Sequence, residues 1–132
     1  MDADDFHSAE NKAKMSSGIP LTDEDRWQWL ERLHVELRSM AGKGAPIFLA
    51  CSALKQAYRD RLIAGLSQVR FVYLKGSMEL IRRRMLARPH HFMPAALLES
   101  QFADLEEPAD AIVLDIARSP EEMVHDFLRI AG

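Results

Sequence analysis

The chain predicts a parallel α/β fold, on three observations. Ile47-Phe48-Leu49-Ala50-Cys51, Arg70-Phe71-Val72-Tyr73-Leu74 and Ala111-Ile112-Val113-Leu114-Asp115 are short, continuous apolar runs, which suit strands buried on both faces. Stretches of helical spacing lie between and around them, and two helices carry explicit start signals. In chain order, Thr22 followed by Asp25 gives a helix cap and its reciprocal partner. Trp27, Leu30, Leu33, Leu37 and Met40 then recur at three- and four-residue spacing until Gly42-Lys43-Gly44 breaks the run. Further helices are expected over 54–63, 77–88 and 94–105. Ser119-Pro120-Glu121-Glu122 opens a last one, with a capping serine, a first-turn proline and a glutamate at the box position.

Composition narrows the class. With 132 residues, 48% of them hydrophobic, the chain suffices for one domain spanning 1–132 and is too short for two. The net charge of -3, with basic and acidic residues interspersed, offers no field for nucleic acid or an anionic membrane. A single cysteine, Cys51, rules out an intramolecular disulfide, and no secretory signal opens the sequence, so a cytoplasmic location is expected. No apolar run approaches the roughly 20 residues of a membrane span, and no repeat or low-complexity tract occurs.

Three constellations carry chemistry. Met1-Asp2-Ala3-Asp4-Asp5-Phe6-His7 is an acidic cluster in which Asp2 and Asp4, two apart on an extended segment, would face the same way. Such a pair can hold a metal ion and orient a hydroxyl nucleophile; the alternative is that Asp4 or Asp5 caps a helix starting near Ser8. The second runs from Arg82 through Arg84 and Arg88 to His90-His91-Phe92-Met93. Its arginines suit a lid over phosphate oxygens or, equally, a solvated helix face with Met85 and Leu86 inward. Without carboxylate or cysteine ligands at the right spacing, the adjacent histidines do not suggest zinc. The third is Ala50-Cys51-Ser52-Ala53-Leu54-Lys55, a strand end running into a helix N-terminus. It suits an anion, with Ser52 as the alternative plain cap and Cys51 as a small apolar thiol rather than a nucleophile. The carboxyl ends of the strands, at Cys51-Ser52, Lys75-Gly76 and after Asp115, should border one crevice.

An ordered set of motifs goes further. Asp2-Ala3-Asp4-Asp5-Phe6-His7, Asn11, Lys14-Met15, Gly18-Ile19-Pro20-Leu21, Asp23, Asp25-Arg26 and Trp29-Leu30 come first. Ala50-Cys51-Ser52-Ala53-Leu54-Lys55 with Tyr58-Arg59-Asp60 follows, then His91-Phe92-Met93, Leu97-Leu98, Ser100-Gln101-Phe102 and Leu105-Glu106 with Pro108. From Asp2 to about Pro108 this set resembles the gluconokinase family of small P-loop sugar-acid kinases. The resemblance implies a three-layer P-loop-kinase-like fold, a parallel sheet with helices on both faces, and transfer of the ATP γ-phosphoryl group to the 6-hydroxyl of D-gluconate. It implies Asp4 as the group that orients or deprotonates the hydroxyl and Asp2 as a contributor to Mg2+ coordination. His7, Lys14, Arg26 and Arg59 would lie near the sugar acid. Arg84 and Arg88 would approach the phosphates from a lid near 84–93, and Ser119 and Pro120 would sit beside adenine. A homodimer is the family expectation.

The chain departs from the family pattern at its start. Members open with a strand, a Gly-x-x-x-x-Gly-Lys-Ser/Thr loop and a helix, none of which occurs here, and Gly42-Lys43-Gly44 follows a helix and lacks the spacing. The loop's donors neutralise the phosphates, and losing even one positioned donor typically costs on the order of 10²–10³ in rate, so these 132 residues alone, without the loop, are expected to be catalytically inactive. Two readings follow: a gluconokinase whose phosphate loop lies outside this sequence, or an inactive short form that binds a sugar acid or a partner protein.

Overall fold

The computed structural model describes residues 1–88 and 96–132. A 3-10 turn, Ala3–Phe6, leads into α1 (Ala9–Ser16) and α2 (Asp23–Met40). Then come α3 (Gln56–Ile63), β1 (Val72–Lys75), α4 (Met78–Ala87), α5 (Ala96–Asp104), β2 (Ile112–Asp115) and α6 (Pro120–Ala131). β1 and β2 pair in parallel, Val72 against Ile112 through Lys75 against Asp115, as the α/β reading requires.

Both sequence-marked caps form. Thr22 Oγ1 accepts from Asp25 N at 3.1 Å while Thr22 N donates to Asp25 Oδ2 at 3.0 Å. Ser119 and Glu122 repeat the exchange at the start of α6, with Pro120 in its first turn. Each such cap satisfies otherwise orphaned helix donors and contributes about 1 kcal/mol.

The main core lies where α2 packs on α3 and on the N-terminal turn, around Ala3, Trp29, Leu30, Leu33, Tyr58 and Leu62. The inward seam of α2 is Arg26, Trp29, Leu30 and Leu33, rotated from the expected line. Trp27 stays half-buried, its indole edge-on to Tyr58 with centroids 5.5 Å apart.

Two strand expectations are corrected. Ile47–Cys51 forms no strand: Ala50 makes one isolated parallel bridge to Asp2, through Ala3 N to Ala50 O at 2.9 Å and Ala50 N to Met1 O at 3.0 Å. An apolar run becomes a strand only when a neighbouring backbone accepts its ladder, and here Met1–Ala3 offers a single register before turning into the 3-10 helix. The described strands are also not buried on both faces, since Ile112 and Leu114 are buried while Val113 and Asp115 are exposed. Beyond the strands, Gly76 packs so closely on Ile116 that a Cβ there would meet the Ile116 Cδ1 atom at 2.4 Å.

Candidate functional site

The acidic cluster folds as a tight turn, not as the expected extended segment. Asp2 is the cap of the 3-10 helix, its Oδ1 accepting from Asp4 N at 2.9 Å. Ser8, and not Asp4 or Asp5, caps α1, with Oγ accepting from Asn11 N at 3.1 Å. This frees Asp4 to face a cavity of about 280 Å³ together with Asp2, His7, Arg26, Trp29 and Ser52. Leu97, Ser100 and Gln101 of α5 close another side, so residues from the turn, α2, the 50–54 segment and α5 meet there.

Two contacts hold the floor. Trp29 Nε1 donates to Ala3 O at 2.7 Å, fixing α2 against the acidic turn. The His7 ring stacks on the Trp29 indole with centroids 4.3 Å apart and planes 15° apart. Burial, and after it the positive charges of Arg26 and Lys12, holds the His7 imidazole down to about 4 from its ordinary 6.5. Burial, then the charges of Asp2 and Asp5, lifts the Asp4 carboxyl above the ordinary carboxylate range. A carboxylate raised in this way is a better proton acceptor for a hydroxyl than a free aspartate.

Arg26 is the buried cation of the cavity. Its Nη1 donates to Tyr58 Oη at 2.8 Å and to Asp104 Oδ2 at 3.0 Å. Tyr58 passes its own proton to a hydrogen bond with Asp23, which Lys55 also approaches at 3.3 Å. Burial draws the Arg26 pKa down, but the bonds to Tyr58 and Asp104 outweigh it and hold the guanidinium charged. Asp104 closes α5, so this ion pair also ties the helix that walls the cavity to α2.

The other sequence-selected residues lie elsewhere. Lys14 Nζ is engaged by both Asp25 oxygens, at 3.1 and 3.0 Å, and does not line the cavity. Arg59, 4% exposed, donates to the carbonyls of Ala53, Leu54 and Glu106, pinning the 50–55 segment to the end of α5. Ser52 is not a helix cap: α3 begins at Gln56, whose N–H donates to Glu106 Oε1 at 2.8 Å. The N-terminal donor proposed for an anion is thus met by a carboxylate of the chain itself. Cys51 borders the cavity, but burial pushes its thiol up to about 11, consistent with an inert apolar role.

Arg84 in the last turn of α4 and Arg88 at its end are exposed, and among the described residues neither has an ion-pair partner. The lid residues His90, His91, Phe92 and Met93 fall outside the described residues. Ser119 and Pro120 begin α6, away from the cavity, as are Lys75 and Gly76; the expected single crevice therefore receives only the Cys51-Ser52 end. Lys75 is instead paired with Glu107 at 2.9 Å. Sequence reasoning left open which indole of Trp27 and Trp29 shapes a pocket, and did not find Tyr58 and Asp104 as the partners of Arg26. The contacts of Trp29, Tyr58 and Asp104 span 26 to 78 residues, and no local pattern announces them.

Among the described residues no group of three or more His, Cys, Asp or Glu side chains could hold a metal, so no dedicated all-protein cage exists. The donor set still fits Mg2+, which typically takes one or two carboxylates and completes its shell with water and substrate phosphates. Asp2 and Asp4 are the carboxylates at the cavity wall. Among the described residues no helix is long and apolar enough to cross a membrane.

No family model matches the chain. Individual proteins do. It is 49% identical over 130 residues to the thermosensitive gluconokinase of Escherichia coli K12, covering 98% of this chain and 68% of the relative. It is 39% identical over 147 residues to a gluconokinase of Arabidopsis thaliana, covering 100% and 78% respectively. Among solved structures, an unliganded sugar kinase from Janibacter sp. HTCC2649 superposes with a TM-score of 0.89 at 48% identity, over 98% of this chain and 76% of the other. A gluconokinase from Sinorhizobium meliloti 1021 gives 0.83 at 39% identity, over 98% and 74%. The small α/β architecture with its parallel pair is thus that of the sugar kinases, and the chain belongs to the gluconokinase family.

Proposed function

We propose that the chain is an ATP-dependent phosphotransferase acting on D-gluconate in the cytoplasm, with the cavity around Asp4 as its sugar-acid site. The observation that carries this reading is the convergence of an acid-raised carboxylate, a neutral imidazole and a charged, buried guanidinium on one small pocket. Its volume is near the low end of the roughly 300–1,000 Å³ typical of small-molecule sites, which suits a single open-chain sugar acid.

In this reading Arg26 faces the substrate carboxylate or its neighbouring hydroxyls, its donor fork pre-set by Tyr58 and Asp104. Asp4 receives the proton of the 6-hydroxyl as that oxygen bonds to the γ-phosphorus and the bond to the ADP oxygen breaks. Asp2 is the carboxylate that would hold Mg2+, which when bound would neutralise charge on the phosphates. Arg84 and Arg88 serve the phosphates from the lid side, a role supported by two exposed guanidinium groups without ion pairs among the described residues. Ser119 and Pro120 serve the adenine side. Arg59 and Lys14 act on the site only through the loops they hold. The active unit is a homodimer in this reading.

The test is gluconate-dependent ADP release by a protein that joins this chain to a strand and phosphate loop of the family pattern, since these 132 residues do not themselves contain the loop's donors. The expected result is release that falls by about 10²-fold or more in Asp4→Asn. Gluconate binding without ADP release would instead assign the chain as a sugar-acid binding module.

A further inference from the structure

We propose that Asn11 is a positioning residue that fixes His7 as its Nε2–H tautomer, so that His7 donates to the same substrate hydroxyl whose proton Asp4 receives. The inference rests on the reading of Asp4 and its cavity given above, and adds to it two residue roles.

Asn11 is 6% exposed and stands one helical turn beyond His7. Its Nδ2 donates to the backbone carbonyl of Asp25 at 3.1 Å and lies 3.4 Å from His7 Nδ1. The Asp25 carbonyl decides which end of the amide points there, because the reverse orientation would set two oxygen acceptors against each other. With an amide N–H aimed at it, His7 Nδ1 is the acceptor, and in a neutral ring the proton then sits on Nε2. The ring is neutral because it is buried beside the Arg26 and Lys12 charges.

The rest of the geometry directs that proton. Stacking on Trp29 fixes the ring plane, and the Trp29–Ala3 hydrogen bond fixes Trp29 to the turn that carries Asp4. His7 Nε2 lies 3.9 Å from Asp4 Oδ1, too far for a direct hydrogen bond. An oxygen can stand about 2.8 Å from both atoms across that gap. A hydroxyl placed there accepts from His7 and donates to Asp4, which aligns its remaining lone pair for attack. During transfer its proton passes to Asp4, the new oxygen–phosphorus bond replaces the one to ADP, and the Nε2 proton stays on His7.

The test is the imidazole ¹⁵N spectrum of the full chain at neutral pH, which needs no turnover. The expected signature is a protonated Nε2 and a lone-pair Nδ1 for His7. In Asn11→Asp, whose carboxylate only accepts, Nδ1 should become protonated; in Asn11→Leu the tautomers should mix. In the protein joined to the phosphate loop, both variants should lose about tenfold or more in kcat, with gluconate KM changed much less. A wild-type His7 carrying its proton on Nδ1, or charged at neutral pH, would overturn the inference even if both variants failed to fold. Absence of ADP release by the joined protein with the Nε2–H signature intact would count against the functional reading and leave the role of Asn11 standing.

Discussion

The two ends of the molecule are built differently. From the N-terminal turn through α3, Trp29, Leu30, Leu33, Tyr58 and Leu62 are each at most 3% exposed, and every group assigned to the sugar acid hangs from that core. From β1 onward, Val113 is 48% exposed, Val124 58% and Leu128 63%, and α6 buries no residue at all. The groups assigned to the nucleotide, Arg84, Arg88, Ser119 and Pro120, stand on this thinly covered half. The difference is one of degree: side chains that position a substrate must themselves be immobilised by packing, and the first half supplies most of that, with Leu97 of α5, 3% exposed, adding a wall of the cavity.

Mutations sharpen the contrast. Leu33→Ala, at a fully buried site, should destabilise the chain by about 2–5 kcal/mol in a denaturant titration. An effect below 1 kcal/mol would show that the first half is not the stable one. The next largest effect is a pH dependence set by His7. Its folded pKa is depressed to about 4 from 6.5, so the unfolded state binds more protons between those values. Stability should therefore be fully present above about pH 6.5 and be lost as the pH falls towards 4, by up to about 3 kcal/mol. His7→Gln should flatten that slope, and an unchanged slope would assign the acid sensitivity to other groups.

Smaller changes probe each half in turn. Tyr58→Phe removes the hydroxyl that joins Arg26 to Asp23, and should cost about 1 kcal/mol while, in the protein joined to the phosphate loop, raising the gluconate KM more than it lowers kcat. A fall in kcat alone would place Tyr58 in the chemical step. Leu128→Ala on α6 should stay within about 0.5 kcal/mol of the parent, since its side chain meets solvent already. A larger loss would mean that α6 is covered in solution by a surface such as a second copy of the chain.

The lining of the candidate cavity was partly legible in the residues. Asp4, His7 and Arg26 were singled out by their motifs and do share one cavity, and Asp2 stands at its wall. Arg59 and Lys14 came from the same motifs, yet their charges are spent on backbone carbonyls and on Asp25. A basic residue next to a motif looks alike whether its partner is a ligand or a loop, because the partner lies in another part of the chain. Asn11 illustrates the reverse: its motif position drew notice, but its work depends on a carbonyl 14 residues away.

What the sequence determined by itself is local in origin. The Thr22–Asp25 and Ser119–Glu122 boxes formed because their hydrogen bonds close within three residues, and the parallel pair at 72–75 and 112–115 formed where continuous apolar runs stood. Tertiary structure alone decided the remainder. Whether 47–51 became a strand depended on a neighbour able to accept its ladder, and which face of α2 turned inward depended on Tyr58 and Ala3 meeting Arg26 and Trp29. Backbone pairing and buried polar contacts are satisfied by whatever group the fold brings near, and that group is set by packing rather than by spacing along the chain.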